Sequence, residues 1–326
     1  MTDPLVWVVG RGGFLGSHVE RLAPREIPGA VPWRPPDPRF SWDEPDRLTV
    51  EIGDAARAFG AAVRQRGGPW MALWCAAAGG VGASPDALRQ ETEALRRWLA
   101  ALGRETARAP GALLFSSSAG GVYGDGVALP LTEHSPCRPI SPYGRAKLEQ
   151  EADVLSWARA TPGVACLVAR LSNLYGPGQN LERPVGLIAR LSQSFVRRSP
   201  LHVYVSLDTL RDYLHVGDAA RSLLRGLDRL RRPEQPASLV KIFASEHSIS
   251  IAGIIGVFTR IAKRAPRIIC TPSPVSRQQP SRLRFRSVVW TEHAPRVVDL
   301  AAGIHEVYQD HLSLFRRGQL PAPPTP

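Results

Sequence analysis

Tyr143 and Lys147 stand four residues apart, the spacing at which two side chains share one face of a helix. Ser141 and Pro142 directly before them are an N-cap residue and a first-turn proline, so the pair opens a predicted helix that runs to about Ala160. A free phenol titrates near about 10, and an ammonium beside it together with the positive end of a helix stabilises the phenolate. A tyrosine in that setting can give and take a proton at working pH. The plain alternative is a surface pair brought together by chance; it loses weight because lysine occurs only at positions 147, 241 and 263. Ser118 ends the run Ser116-Ser117-Ser118 after a predicted strand over 112–116. A hydroxyl there can share hydrogen bonds with the phenol and a substrate oxygen, although serines also end strands as simple caps.

A second constellation precedes these. Gly10, Gly13 and Gly16 form a G-x-x-G-x-x-G turn directly after the apolar run Leu5-Val6-Trp7-Val8-Val9. Glycines so placed let the backbone of Gly10, Arg11, Gly13, Phe14, Leu15 and Gly16 approach a pyrophosphate at a helix N-terminus, where the dipole favours negative charge. A tight strand-to-helix turn without a ligand is the bland alternative, and the position at the first strand favours the dinucleotide.

The elements that position these groups follow from periodicity. The run Leu5 to Val9 reads as a buried parallel strand and Phe14 to Leu22 as a helix. In the proline-rich passage from Pro24 to Pro45 only Ala30 to Trp33 resembles a strand. Ile52 to Gln65 is helical, Trp70 to Ala78 a buried strand, Pro85 to Leu102 a long amphipathic helix and Val164 to Arg170 another strand. This alternation predicts an α/β protein with a doubly wound parallel sheet. Beyond about Ser172 the pattern is irregular. Residues 1–172 are expected to form the dinucleotide-binding domain, and 173–326 mainly a smaller C-terminal substrate lobe, with some segments returning to the sheet. Pro321 to Pro326 reads as a frayed tail.

Composition bounds the function. The chain has 326 residues, 44% hydrophobic and 21% charged, as a soluble globular enzyme has. No basic leader with a cleavage site opens it, and the apolar stretch from Met71 to Ala83 is too short and glycine-rich to span a bilayer, so a cytoplasmic protein without a membrane partner is expected. Cys75, Cys137, Cys166 and Cys270 are scattered, without a CxxC pair or histidines at ligand spacing, so they are expected to be reduced, with no metal. The net charge of +12 is almost all arginine. Blocks such as Arg197-Arg198 and Arg231-Arg232 read as solvated faces, and no nucleic-acid motif accompanies them.

Six segments together resemble the NAD-dependent epimerase/dehydratase family of extended short-chain dehydrogenases/reductases. They are the Gly10/Gly13/Gly16 loop, Ala76-Ala77-Ala78, Ser116 to Gly124, Tyr143-Gly-Arg-Ala-Lys147, Arg170 to Gly178 and Arg211-Asp-Tyr-Leu-His-Val-Gly-Asp218, in the family's order. The resemblance implies a Rossmann-like fold and a nucleotide-activated sugar held against a nicotinamide. It implies Ser118, Tyr143 and Lys147 as the catalytic triad, Ala76, Ala77 and Ala78 beside the cofactor, and Lys147 on the phenolate and the nicotinamide ribose. Ser118, Asn173, Asn180 and Arg211 fall at substrate positions, Asn173 and Arg211 at those that commonly hold the diphosphate, which suits a bidentate guanidinium. A salt bridge of Arg211 to Asp208 or Asp212 is the competing reading.

Departures from the family sharpen the expectation. Its dehydratases and decarboxylases place an acid within two residues of the catalytic hydroxyl residue, whereas Ala119 and Gly120 follow Ser118. Glu91 stands where an Asn is common and Leu171 where a Pro often follows the Arg. The expected activity is therefore hydride transfer at a ring carbon, C4 foremost, by a 4-epimerase or 4-ketoreductase, with a homodimer as the assembly considered. A reductase of a non-sugar ketone or alcohol and a catalytically lapsed cofactor-binding regulator are the alternatives. For the cofactor, Arg34 follows the second strand, Arg11 lies in the glycine loop and Asp37 is the only nearby acid, so NADP is favoured slightly over NAD.

Overall fold

The computed structural model describes residues 3–37, 40–77, 80, 82–107, 109–182, 186–232, 234–271, 279–291 and 297–321. The chain divides into two compact units. The first comprises Met1–Ser118, Pro142–Arg170 and Ala220–Lys241, the second Ala119–Ser141, Leu171–Ala219 and Ile242–Pro326.

In the first unit β1 (Leu5–Val9), α1 (Phe14–Glu26), β2 (Val31–Trp33), α2 (Pro45–Arg66), β3 (Trp70–Trp74), α3 (Pro85–Thr106) and β4 (Gly111–Ser118) follow one another. A four-residue helix, α4 (Ala119–Val122), belongs to the second unit; α5 (Pro142–Arg159) and β5 (Val164–Leu171) return to the first. The central parallel sheet has the order β2, β1, β3, β4, β5 and a sixth strand drawn from residues 238–243. Every residue of β1 and β3 is buried, as strands covered on both faces must be. Pro32 removes a ladder donor, and β2 accordingly lies at the edge of the sheet.

Local chemistry sets the helix ends. The Ser84 hydroxyl accepts from the Ala87 amide at 3.2 Å ahead of Pro85, capping α3. Pro45 opens α2 and Gly67, at φ 68°, closes it in the left-handed conformation that glycine tolerates. Sequence periodicity starts α2 at Ile52, about two turns late, because residues 45–51 carry little apolar signal. The helix α1 likewise runs past Leu22, through Pro24, to Glu26.

The second unit is where sequence patterning read only irregularity. It holds β6 (Asn173–Tyr175), α6 (Leu187–Arg197), β7 (Leu201–Val203), β8 (Leu210–His215) and the start of α7 (Val216–Leu230). After β9 (Ser238–Phe243), the sixth strand of the main sheet, come β10 (Ser248–Ser250), α8 (Ile251–Ala262), β11 (Ile268–Cys270) and α9 (Leu300–Arg316). Strands β10, β8 and β6 form one small sheet, β11 and β7 another. Strands of three residues are too short to show a period of two, which is why they left no trace in the sequence. The tail expected over 321–326 lies outside the described residues from 322 onward.

Aromatic side chains dominate the core of the first unit. Trp98 on α3 packs on Trp7 of β1 at a centroid distance of 5.7 Å and on Trp74 of β3 at 5.1 Å. All three are fully buried. Trp98→Ala should therefore cost about 3–5 kcal/mol, read in denaturant unfolding as a lower midpoint with an unchanged slope.

Candidate active site

The turn between β1 and α1 is built for close approach. Gly10 has φ 81°, and a Cβ there would sit 2.6 Å from the Ala76 backbone nitrogen, so the loop after β3 abuts it directly. A Cβ on Gly16 would meet the Gly10 carbonyl oxygen at 2.2 Å. The Gly13 amide donates to that same oxygen at 2.9 Å, and Gly13 caps α1 without a side chain. The first amides of α1 are thus left for an anion. Two guanidiniums converge nearby on one acid: Arg34 Nε lies 2.8 Å from Glu20 Oε1, and Arg11 Nη1 3.5 Å from Glu20 Oε2. Arg11 Nε is buried with no hydrogen-bond partner among the described residues. A backbone cradle that a Cβ would fill, and an orphaned buried donor beside it, fit a dinucleotide.

The expectation that Asp37 is the only acid near Arg34 is corrected here: Glu20, on α1, accepts from Arg34 Nε. Of the three alanines assigned to the cofactor, Ala76 packs against Gly10, Ala77 follows it and Ala78 lies outside the described residues.

The end of β4 and the start of α5 carry the second group. Ser118 closes β4, half-buried; Tyr143, also half-buried, lies in the first turn of α5, and α5 packs on β4. Lys147 is buried, its Nζ 5.9 Å from the Tyr143 ring centroid and 5.3 Å from that of Phe115. Its hydrogen bonds go to Glu91 Oε1 at 2.8 Å and Gln150 Oε1 at 3.1 Å. One turn further along α5, Glu151 receives Arg170 of β5 in a bidentate pair, with contacts of 2.6 and 3.0 Å, and the Ser117 hydroxyl at 2.5 Å. Burial is the largest influence on Lys147 and favours the neutral amine. The carboxylate of Glu91, then the Tyr143 oxygen and Glu151, outweigh it, so the ammonium is held above the ordinary lysine range.

In the second unit Arg211 lies on β8 and Asn173 on β6, adjacent parallel strands in which Asn173 pairs with Tyr213. The Asn173 amide donates to the Asp212 carbonyl at 2.9 Å. Arg211 is 7% exposed and donates to the Leu210 carbonyl at 2.9 Å and to Gln279 at 3.4 Å. Its ion pair with Asp208 or Asp212 does not form: the Asp212 carboxylate instead takes the Ser245 amide and hydroxyl, each at 2.9 Å. Burial pulls the Arg211 guanidinium below the ordinary arginine value, against the opposing influence of Tyr213 and Asp125. Asn180 is exposed and accepts from the Glu182 amide at 3.0 Å.

Residues 6–240 match the model of the NAD dependent epimerase/dehydratase family. The chain belongs to that family. A UDP-glucose 4-epimerase of Azospirillum brasilense is 35% identical over 133 residues, 37% of this chain and 38% of that protein. A dTDP-glucose 4,6-dehydratase of Salmonella typhimurium is 37% identical over 112 residues, 31% of this chain and 30% of that one. The chain thus matches well under half the length of these curated relatives. In fold it is similar to the UDP-glucose 4-epimerase of Thermotoga maritima crystallised with UDP-glucose, with a TM-score of 0.75 and 21% identity over 96% of this chain and 99% of that one.

Three acids that pair with residues of the candidate site or its surroundings have no role assigned from sequence: Glu20, Glu91 and Glu151. The signal for two of them was present. On α3 the buried residues Leu88, Glu91, Leu95, Trp98 and Leu102 recur at helical spacing, and on α5 Lys147, Glu151, Val154 and Ala158 do the same. An acid on an apolar stripe needs a buried partner. Among the described residues no cluster of three metal-ligating side chains occurs, and no helix is long and apolar enough to cross a membrane.

Gly10→Ala would force a side chain into a left-handed conformation against the Ala76 backbone. Dinucleotide affinity should fall at least about tenfold, as a strain of about 1.4 kcal/mol suffices for, and titration calorimetry with NAD and NADP measures it.

Proposed function

We propose that this chain is an NAD(P)-dependent enzyme that interconverts a hydroxyl and a ketone at a ring carbon of a nucleotide-activated sugar, C4 foremost, as a 4-epimerase or 4-ketoreductase. The observation that carries the chemistry is the placement of a buried, charged Lys147 beside Tyr143 on one face of α5. A bound nicotinamide supplies the hydride acceptor or donor. Tyr143 takes the proton of the sugar hydroxyl as the ring carbon is oxidised and returns it when the ketone is reduced. Ser118 hydrogen-bonds the same sugar oxygen, and Lys147 stabilises the phenolate.

Support for the substrate class comes from Arg211, a buried guanidinium with no carboxylate at ion-pair distance among the described residues, which suits a diphosphate. Asn173 holds the neighbouring strand and Asn180 adds an exposed amide to the substrate lobe. Ala119 and Gly120 after Ser118 leave no acid for an elimination, which favours epimerase or ketoreductase over dehydratase. The slight lean to NADP rests on Arg11 and Arg34, whose two positive charges exceed the one negative charge of Glu20. A lapsed enzyme that only binds cofactor is the alternative reading, and the intact Tyr143 and Lys147 argue against it.

Tyr143→Phe decides between the two. Turnover of UDP- and dTDP-hexoses, followed by NMR of the sugar anomeric signals, should fall by at least about 10², the worth of one acid-base group, with dinucleotide affinity nearly unchanged. A wild type that binds cofactor and turns over none of these sugars supports the lapsed reading. For the cofactor, NADP should bind more tightly than NAD and Arg34→Ala should narrow the gap in calorimetry; equal affinities in the wild type would overturn the lean.

A further inference from the structure

Helices α3 and α5 are joined by a polar seam that water does not reach. Lys147 and Glu91 form an ion pair of 2.8 Å with side chains 3% and 2% exposed. Gln150 closes the ring, accepting from Lys147 at 3.1 Å and donating to Glu91 at 3.3 Å and to the Thr92 hydroxyl at 3.0 Å. The ammonium faces Glu91 from α3; from α5 come Tyr143, Gln150 and Glu151; β4 offers the Phe115 ring. Glu151 is committed to Arg170 of β5 and to Ser117. One carboxylate, Glu91, therefore touches the lysine directly.

An unaccompanied ammonium at such a site would lose its proton, since burial can lower a lysine by up to about 3–5 units. A neutral amine gives a developing phenolate no charge to lean on. We propose that Glu91 is a positioning residue that keeps the buried Lys147 protonated, and so supplies the fixed positive charge that proton transfer at Tyr143 requires. The inference rests on the assignment of Tyr143 and Lys147 made above. Glu91→Gln is the informative change, because it preserves size and a hydrogen-bond acceptor and removes only the charge.

Stability follows the same linkage. A lysine raised in the folded state contributes stability in full below its unfolded value of about 10.4, and loses it as pH rises through the folded value. In the Gln variant the folded value drops below the unfolded one and the sign reverses. Stability should then rise with pH between the lowered value and about 10.4, because the unfolded chain binds the extra proton there.

The scarcity of lysine makes the proton visible. With lysine labelled at 13Cε, residues 147, 241 and 263 give three signals, and Lys147→Arg identifies one of them. In the wild type the Lys147 signal should titrate above Lys241 and Lys263. In Glu91→Gln it should titrate below them by about one pH unit or more, a tenfold or greater loss of proton affinity, and Glu91→Asp should restore most of it. A Lys147 signal in Glu91→Gln that still titrates with or above the other two would overturn the proposal, as would a wild-type Lys147 that titrates below them. Should Glu91→Gln unfold at neutral pH, it should regain structure near about pH 9.5; equal instability at both pH values counts against it. The NMR result does not depend on turnover. Active Tyr143→Phe would remove the functional reading, whereas an unmoved lysine signal would remove only this inference.

Discussion

Two buried ion pairs one helical turn apart on α5 are the constraint around which the first unit is arranged. Lys147 ties α5 to α3 through Glu91, and Glu151 ties it to β5 through Arg170 and to β4 through Ser117. Each ion costs several kcal/mol to remove from water, and that cost is offset only if geometry and additional hydrogen bonds are nearly ideal. The bidentate Arg170 and the Gln150 bridge meet that requirement. Replacing a buried ion pair by well-packed apolar side chains of similar volume often costs no stability. What the charged seam adds is register: sliding α5 by one turn would leave four buried charges without partners.

The rest of the core follows from that register. Phe115 lies 5.3 Å under the Lys147 ammonium and is itself part of the cluster in which Trp7, Trp74 and Trp98 pack. Glu91, which accepts from Lys147 and Gln150, sits two turns before Trp98 on α3. The polar seam and the aromatic core are thus two stretches of one helix face. Surface arginines contribute little beside this. Pairs such as Arg57 with Asp54 and Arg89 with Asp86 are exposed at both ends, and exposed pairs are worth about 0–1 kcal/mol.

Legibility in the sequence tracked the range of the interaction. The glycine turn and the Tyr143/Lys147 spacing are local, and so were readable from a few residues. The strands β1, β3, β4 and β5 were readable because burial on both faces leaves continuous apolar runs. The sixth strand, Ser238–Phe243, was not, because the second unit's segment Leu171–Ala219 and the helix α7 separate it from β5, and its mostly half-buried residues show no clear period. Glu20 illustrates the same limit at the candidate site. It meets Arg11 nine positions away and Arg34 fourteen positions away, distances that only the turn of α1 and the placement of β2 make short. Glu91 and Glu151 were readable in principle, since each interrupts an apolar stripe, but their partners lie 56 and 19 positions away.

Glu20 also bears on how a ribose end can be read. A lone carboxylate there would attract ribose hydroxyls and repel a phosphate; a lone guanidinium would do the reverse. Here the acid is shared by two guanidiniums, one with 60% of its side chain exposed and one whose buried Nε has no hydrogen-bond partner among the described residues. The acid orients both while cancelling only one of them. Removing the exposed Arg34 would leave Glu20 paired with Arg11 alone. The proposed lean to NADP therefore rests on this cluster, of which Arg34 is the exposed member.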